Sequence, residues 1–258
     1  MYFRNTLFAF ASPLFALLAF NVQSTVVEIR TSLGTIEVNL FDNDTPKTVN
    51  NFLNYLDSGR YANNVVHRSV DGFVVQAGGF TFNGGFPIVR VENDPEIENE
   101  PKLSNVRGTI AMAKGSNPNS ATSQWFINTG NNANSLDIAA NAGGFTVFGQ
   151  VLGGGMDVVD QINSLNTITY EGLNDFPIRN EVAGQPIIGE NLVLISDVVV
   201  TDRAVSTNTN LNPARNTLIN TSTTQGSDGG GAFTWLVLFM LLTLCVKRSF
   251  KFASIYKK

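Results

Sequence analysis

The sequence predicts a mainly β protein whose strands form a closed or nearly closed antiparallel barrel. Short runs rich in β-branched and aromatic residues recur between residues 25 and 200, and turn-forming residues separate them. Only two segments in this part of the chain have the apolar periodicity of a helix, and they lie far apart. Many short strands combined with two separated helices favour an antiparallel barrel.

A hairpin opens the domain. Residues 25–30 and 35–41 are β-rich runs, and Ser32, Leu33 and Gly34 between them are typical of a tight turn. We therefore expect two paired antiparallel strands at the start of the barrel.

The first helix follows this hairpin. Thr45 is expected as its N-cap and Pro46 as its first residue, where the missing proline N–H has no helical partner to lose. Gly59 is expected to end the helix. The face that meets the core is an apolar stripe of Val49, Phe52, Leu53 and Leu56.

The remaining elements follow from the same patterns. Residues 65–76 return to strand, and a loop rich in Gly, Asn, Pro and Glu comes next. Residues 108–113 and 124–128 are short apolar runs that we predict as strands. A second helix is expected near residues 156–162, and residues 192–200 form the last strand.

Both ends of the chain differ in composition from the domain at residues 25–202. Residues 1–24 contain a single Arg4, an apolar run and then small or polar residues, which indicates a secretory signal peptide. A retained membrane anchor is the alternative, although the run is short and Pro13 interrupts it. The sequence therefore predicts an exported protein, periplasmic or at the cell surface.

The C-terminal end predicts a tether and a membrane segment. Ser, Thr and Asn dominate residues 203–228, which are expected to be disordered. Residues 229–258 then contain three glycines, an apolar run at 232–246 and a basic tail. This order resembles the Gly-Gly C-terminal sorting signals of some gram-negative bacteria, which implies membrane retention and then cleavage near the glycines. A permanent single-pass anchor with its basic tail in the cytoplasm is the alternative.

Charge and cysteine content exclude other classes of function. Residues 25–231 hold 11 basic and 21 acidic residues, a net charge of −10 that repels nucleic acids and anionic lipid headgroups. The only cysteine, Cys245, lies in the C-terminal apolar run and cannot form an intrachain disulfide. We expect no nucleic-acid partner and no disulfide support for the fold.

One segment stands out for its polar side chains. His67 is the only histidine of the chain, and Arg68, Phe73 and Gln76 follow it at spacings that could place them on one concave surface. A general base at His67 would need a hydrolase-type Ser or Cys motif nearby, and a metal site would need a second ligand such as another histidine. Neither accompanies it, so the segment indicates a pocket for a small ligand that is partly polar and partly apolar.

Seven stretches in a fixed order carry a family resemblance. They are YANNVVHR at 61–68, GFVVQAGGFT at 72–81, RGTIAMA at 107–113, SATSQWFIN at 120–128, LD at 136–137, FTVFGQV at 145–151 and GMDVV at 155–159. In these stretches the chain resembles the cyclophilins, which are peptidyl-prolyl cis-trans isomerases, and most closely their exported bacterial branch. The resemblance implies an eight-stranded barrel capped by two helices, with a substrate groove on its outer face.

The resemblance also implies roles for individual residues. Arg68 is the principal catalytic residue, Gln76 orients it and holds the substrate backbone, and Phe73 belongs to the same catalytic set. The groove residues that the resemblance implies for substrate binding are His67, Met112, Ala113, Gln124, Phe126, Leu136 and Phe145. Taken singly, Phe73, Met112 and Phe126 are typical core residues, because apolar side chains at strand spacing normally face the core.

The implied reaction needs neither a cofactor nor a metal. Rotation of an X–Pro bond crosses a barrier of about 18–20 kcal/mol that arises from amide resonance, and a donor to the prolyl nitrogen in a water-poor cleft lowers it. The expected partners are unfolded or extended polypeptides that contain proline, bound by a monomer. Weak cyclosporin binding is expected, because Asn134 and Ser135 precede Leu136 where eukaryotic members have a tryptophan. A peptide-binding chaperone or scaffold with incidental isomerase activity is the alternative.

Overall fold

The computed structural model of this chain describes residues 25–203 and 211–220. Within them it contains thirteen strands, three α-helices and one 3₁₀ turn at Gly189–Asn191. The helices are α1 Pro46–Asp57, α2 Ala133–Leu136 and α3 Gly155–Asn163. The strands are β1 Val26–Thr31, β2 Gly34–Leu40, β3 Asn64–Val65, β4 Arg68–Val70, β5 Val74–Ala77, β6 Phe80–Thr81, β7 Val89–Arg90, β8 Thr109–Met112, β9 Trp125–Asn128, β10 Val147–Val151, β11 Thr167–Tyr170, β12 Leu173–Pro177 and β13 Leu194–Asp202.

Eleven of these strands form one curled antiparallel sheet. Their order is β4-β5-β9-β8-β10-β2-β1-β13-β3-β6-β7, while β11 and β12 pair only with each other as a separate hairpin. The protein is thus mainly β with few helices, as the sequence predicts. The two end strands of this order, β4 and β7, do not pair with each other. The closed eight-stranded barrel therefore stays a prediction.

The two predicted helices, α1 and α3, are confirmed with small shifts in their ends. Pro46 is the first residue of α1 and Thr45 its N-cap, as expected. The Thr45 hydroxyl does not cap the helix, because it donates to the Phe41 carbonyl at 3.4 Å. Gly59 follows the end of α1 with a φ of +71°, a backbone conformation that glycine adopts at little cost.

The core lies inside the curl of the sheet, where α1 and α3 pack against it. Phe52 of α1 is fully buried, and its ring lies 5.1 Å from Tyr61, 5.2 Å from Phe148 and 6.5 Å from Trp125. Aromatic contacts at these centroid distances add stabilisation beyond the burial of area. This aromatic cluster supports the inner face of β9, whose outer face contributes to the candidate site.

Several strands were not predicted from periodicity. The short pair β6 and β7 lies in the segment expected to be a loop, and the β11–β12 hairpin lies between the second helix and the last strand. The strands β6 and β7 have two residues each, and the alternation along β11 extends over only four residues, so none of them gives a strong periodic signal. They form because neighbouring strands and the hydrophobic cluster around Phe176 hold them in place.

Part of the predicted tether lies against the domain. Residues 211–220, here called the C-terminal strap, contact the loop that precedes β8 and the loop that follows α2. The Asn216 N–H donates to the Lys102 carbonyl at 3.0 Å, and its side-chain amide donates to the Asp137 carbonyl at 2.9 Å. Arg215 adds an ion pair with Asp44 at 2.6 Å. The strap is the described part of the segment that the sequence predicts to be a disordered tether, and these contacts attach it to the domain.

The predicted signal peptide and the segment at 229–258 lie outside the described residues, as do residues 204–210 and 221–228. Among the helices in the described part of the chain, none has the length and apolar character that a membrane span requires.

Candidate active site

Strand register brings the principal site residues into one row across the outer face of the sheet. Arg68 of β4 lies opposite Gln76 of β5, Gln76 lies opposite Phe126 of β9, and Phe126 lies opposite Ala111 of β8. Directly opposed residues on neighbouring strands have their Cβ atoms roughly 4.5–5.5 Å apart and share a face. A cation and an amide from consecutive strands thus become neighbours of an aromatic ring that lies 50 positions further along the chain.

This row opens into a groove of about 300 Å³. Seven of the ten residues expected at the site line it: His67, Arg68, Gln76, Ala113, Gln124, Phe126 and Phe145. The rings of Phe126 and Phe145 meet edge to face with centroids 5.9 Å apart and form the apolar wall. The structure therefore places a charged side and an apolar side around a single cavity.

Three expected residues do not line this cavity. Met112 is 1 % exposed and faces the core beside Trp125, because alternation along β8 turns Ala111 and Ala113 outward and Met112 inward. Phe73 and Leu136 pack with Phe126 in the apolar cluster behind the groove wall. Their contribution to the groove is support of that wall.

Arg68 is held in a dry environment with few partners. Its side chain is 20 % exposed, and its closest carboxylate is Asp175, whose Oδ2 lies 3.6 Å from Nε. Nη1 is buried and, within residues 25–203 and 211–220, has no hydrogen-bond partner. Burial lowers the pKa of Arg68 from its ordinary value, and Asp175 partly offsets that effect. The guanidinium stays charged, because arginine cannot be deprotonated under ordinary conditions, and retains donors for a ligand.

Gln76 is oriented by Gln124. Its side-chain amide donates to Gln124 Oε1 at 3.0 Å, and the described structure shows no hydrogen bond from it to Arg68. Gly79 leaves the space that Gln124 occupies, since a Cβ at Gly79 would come within 2.9 Å of Gln124 Cδ. The predicted role of Gln76 in orienting Arg68 is therefore not visible as a direct contact, and the pair of amides is available to a peptide backbone.

His67 lies beside the groove in a buried position. Its ring meets Phe80 edge to face at 5.0 Å, and Nδ1 has no hydrogen-bond partner in the part of the chain that the structure describes. Burial lowers the pKa of His67 to about 4, so the imidazole is neutral at physiological pH. A neutral, enclosed imidazole fits a supporting role better than the transfer of protons.

The groove is cationic although the domain as a whole is acidic. Arg90 and Lys114 line it together with Arg68, and the one carboxylate among the lining residues is Glu96. Lys114 Nζ donates to the Ala142 carbonyl at 2.5 Å and lies 4.4 Å from the centre of the Phe145 ring. Burial lowers the pKa of Lys114 to about 8.

Sequence reasoning missed the β11–β12 hairpin as part of the site. Gly172, Leu173 and Asn174 at its tip line the groove, and Asp175 contacts Arg68. The segment is polar and carries no motif, so no signal in the sequence could place it beside Arg68. Its position depends on pairing and packing with distant parts of the chain.

This arrangement can bind a short peptide without covalent chemistry. The groove offers cationic donors, a pair of amides and two aromatic rings. Among the described residues, no group of three His, Cys, Asp or Glu side chains is placed to hold a metal ion.

Comparisons with known proteins give a family match for most of the domain. Residues 26–182 match the model of the cyclophilin type peptidyl-prolyl cis-trans isomerase/CLD family. The peptidyl-prolyl cis-trans isomerase A of Dickeya dadantii is 40 % identical over 186 residues, which cover 71 % of this chain and 90 % of the relative. The peptidyl-prolyl cis-trans isomerase of Acinetobacter baylyi is 42 % identical over 149 residues, which cover 57 % of this chain and 76 % of the relative.

Solved structures give the same fold. A cyclophilin type peptidyl-prolyl cis-trans isomerase of Cryptosporidium parvum matches with a TM-score of 0.52 at 23 % identity, covering 70 % of this chain and 99 % of that one. The same protein in the presence of the dipeptide Ala-Pro matches with a TM-score of 0.51 at 24 % identity, covering 69 % and 99 %.

Proposed function

We propose that Arg68 accelerates X–Pro bond rotation in this chain, which belongs to the cyclophilin-type peptidyl-prolyl cis-trans isomerase family and is a peptidyl-prolyl cis-trans isomerase. The observation that carries the proposal is the state of Arg68: its guanidinium is charged and largely buried, and Nη1 has no hydrogen-bond partner within the described residues. A donor kept free in this way can serve a group that becomes an acceptor only in the transition state.

The mechanism follows from what rotation does to the amide. As the X–Pro bond twists, the prolyl nitrogen loses its resonance with the carbonyl, becomes pyramidal and accepts a hydrogen bond. A donor that binds this nitrogen only in the twisted state lowers the barrier without tightening the binding of the ground state. No bond is broken, so neither a nucleophile nor a proton relay is required.

The other side of the groove supplies binding and exclusion of water. Phe126 and Phe145 offer an apolar surface for the proline ring, and Phe73 and Leu136 support it from behind. Removing water from this side strengthens the field of Arg68, because charge interactions grow as the local dielectric constant falls. Gln76 and Gln124 would hold the peptide backbone of the substrate.

We further propose that the curled sheet closes into an eight-stranded barrel. Residues 64–70 form one bent segment, with β3 paired to β13 and β4 paired to β5. Between them, the Val66 N–H donates to the Val193 carbonyl at 3.0 Å and the His67 N–H donates to the Gln76 carbonyl at 3.1 Å. These bonds support closure, and slow amide hydrogen exchange at Val66 and His67 is the expected result; rapid exchange at both would contradict it.

The substrates and location proposed for this isomerase rest on the ends of the chain. Residues 1–24 and 229–258 support export and membrane retention, which would present unfolded or membrane-proximal polypeptides that contain proline. Mass spectrometry of the mature protein tests both ends. We expect an N-terminus close to residue 25 and a C-terminus close to the glycines at 229–231, and an intact chain at both ends would contradict the proposal. Monomeric state and weak cyclosporin binding remain predictions.

The catalytic proposal is tested with a protease-coupled assay on a short proline peptide. The wild type and Arg68→Ala are compared, with Arg107→Ala as a control that removes a guanidinium that does not line the groove. Arg68→Ala is expected to lose roughly 100-fold or more in kcat/KM, as is typical when one preorganised donor is removed. Equal rates for Arg68→Ala and the wild type would show that the groove binds peptides without using this arginine.

A further inference from the structure

The β11–β12 hairpin contains an irregularity next to Arg68. Ile168 pairs with Phe176 and Tyr170 pairs with Leu173, so two residues of β12, Asn174 and Asp175, lie opposite one residue of β11. Such a β-bulge turns the side chains of its strand away from their regular alternation, and bulges occur often next to active sites.

The backbone of Asp175 fits this irregularity. Its φ is +57°, in the left-handed region that Asn and Asp adopt more readily than most residues. The next residue, Phe176, is fully buried, and its ring lies 5.2 Å from that of Tyr170. A bulge fixed on one side by a buried aromatic residue therefore fixes the direction in which the Asp175 side chain leaves the backbone.

That direction leads to the charged side of the groove. Asp175 Oδ2 lies 3.6 Å from Arg68 Nε, and the structure shows no other carboxylate within ion-pair distance of Arg68 among the residues it describes. The contact involves the Nε side of the guanidinium, while Nη1 has no partner. The hairpin therefore meets the arginine at Nε, while the buried Nη1 is without a hydrogen-bond partner among the described residues.

We propose that Asp175 is a positioning residue for the reaction: the bulge in β12 aims its carboxylate at Nε of Arg68, so that the Nη edge faces the substrate. The inference rests on the proposed catalytic role of Arg68. It gives the hairpin a function beyond lining the groove, and it is separate from the predicted role of Gln76, whose amide donates to Gln124.

Two opposite effects of this carboxylate can be distinguished by kinetics. An anion beside Arg68 reduces the potential at the substrate, so its removal would raise kcat if charge strength alone mattered. If orientation matters more, removal lowers kcat and leaves KM nearly unchanged, since the misdirected donor is needed only in the transition state. The geometry favours orientation, because the one ion pair of Arg68 within the described residues is made at Nε and not at Nη1.

The test compares Asp175→Asn with Glu171→Gln, both in the full chain. Asparagine retains the size and the tolerance for positive φ at 175, so the hairpin is expected to keep its bulge. Glu171 has a φ of +47° on the same hairpin and no ion pair to Arg68, so Glu171→Gln removes an equal charge at a matched site. Asp175→Asn is expected to lower kcat about tenfold with KM within twofold, while Glu171→Gln stays within twofold in both.

A second measurement does not depend on how the variant folds. The NMR resonance of the Arg68 Nε–H group is assigned by its absence from the spectrum of Arg68→Lys. In the wild type, this resonance is expected to shift as the salt concentration is raised, because salt screens a half-exposed ion pair. The Asp175 side chain is 45 % exposed. An Nε–H signal that does not respond to salt would overturn the inference, as would Asp175→Asn kinetics equal to those of the wild type.

These outcomes are separable from failure of the catalytic proposal. If Arg68→Ala retains full activity, the role of Arg68 itself is wrong. If Arg68→Ala is inactive while Asp175→Asn behaves as the wild type, Arg68 is catalytic and only its positioning by Asp175 is wrong.

Discussion

The cations of the groove and those of the outer surface are held in different ways. On the surface, Arg107 donates to both oxygens of Asp160 at 2.9 and 2.6 Å and also to the Thr129 carbonyl at 2.7 Å. Asp160 raises the pKa of Arg107 through this hydrogen bond. Lys47 pairs with Glu98, and this contact raises the pKa of Lys47 as well.

In the groove, by contrast, burial opposes the charge. The pKa of Arg68 is lowered, its one ion pair is long, and Nη1 is unpartnered among the described residues. The pKa of Lys114 is lowered to about 8, and no carboxylate in the described structure lies within ion-pair distance of it. Arg107 and Lys47 on the surface have close carboxylates, whereas Arg68 has only a long ion pair and Lys114 has none among the described residues. This difference keeps the two groove cations available for a ligand, at a cost in stability.

The largest expected effect comes from changing the shape of a groove cation while keeping its charge. Arg68→Lys retains the charge but loses the planar fork of donors, so we expect kcat to fall roughly 100-fold. Arg107→Lys makes the same change on the surface and is expected to leave kcat within twofold. Steady-state kinetics on one proline peptide measure both, and equal losses would remove the distinction between the two regions.

A smaller effect is expected from Lys114, which offers an unpaired charge to the substrate. Peptides with Asp or Glu next to the proline should bind more tightly than neutral ones. Lys114→Gln should lower the ratio of the two affinities about fivefold, which corresponds to the loss of a partly exposed ion pair of about 1 kcal/mol. Lys47→Gln is the matched surface control. Competition between acidic and neutral peptides for the protein measures this preference. An unchanged preference in Lys114→Gln would show that the lysine does not face the substrate.

The same lysine predicts a pH dependence of binding. Because the pKa of Lys114 is about 8, the preference for acidic peptides is expected to decline as pH rises through 8. A free surface lysine would keep its charge to about pH 10. Peptide titrations between pH 7 and 9.5 measure the decline, and a preference that is constant over this range would contradict it.

The contribution of Lys114 to the free energy of unfolding should rise with pH, whereas its contribution to peptide binding should fall. The unfolded chain holds the Lys114 proton to a higher pH than the folded chain, so it binds more protons between about pH 8 and the ordinary lysine pKa of 10.5. This residue therefore adds to the free energy of unfolding as pH rises through that interval. Denaturant unfolding at pH 8 and pH 10 should show a smaller gain in Lys114→Gln than in the wild type, and equal gains would indicate that burial does not disfavour its charge.

The smallest effect is expected at Arg107, whose ion pair with Asp160 has two short hydrogen bonds. Arg107→Ala should leave kcat/KM unchanged and lower the free energy of unfolding by about 1 kcal/mol or less, since exposed ion pairs contribute little. Denaturant unfolding measures the change. A loss of activity in a folded Arg107→Ala protein would mean that surface cations also serve the groove.

The fold was largely predictable from local patterns. The stripe along α1 and the turn at Gly34 identify a helix and a hairpin from neighbouring residues alone. The site was predictable only in part, through the resemblance that placed Arg68, Gln76 and Phe126 together. Met112 faces the core and does not line the cavity, because the side on which a strand residue lies depends on register, which distant pairing decides.

Asp175 could not have been found from the sequence. Its approach to Arg68 depends on a bulge in β12 and on the packing of Phe176, and neither leaves a periodic signal. The contact joins residues that are more than a hundred positions apart in the chain. Strained or irregular backbone of this kind is where local reasoning fails and functional geometry often lies.

The most direct test of the account is the rate of cis–trans exchange of a proline peptide while it is bound to the protein. Exchange spectroscopy by NMR, at saturating peptide, measures this rate for the wild type and for Arg68→Ala, and the resonances of Phe126 and Phe145 report that the groove is filled. The account predicts that Arg68→Ala still binds the peptide but that exchange on the protein falls roughly 100-fold. Wild-type exchange rates in a peptide-bound Arg68→Ala protein would contradict it.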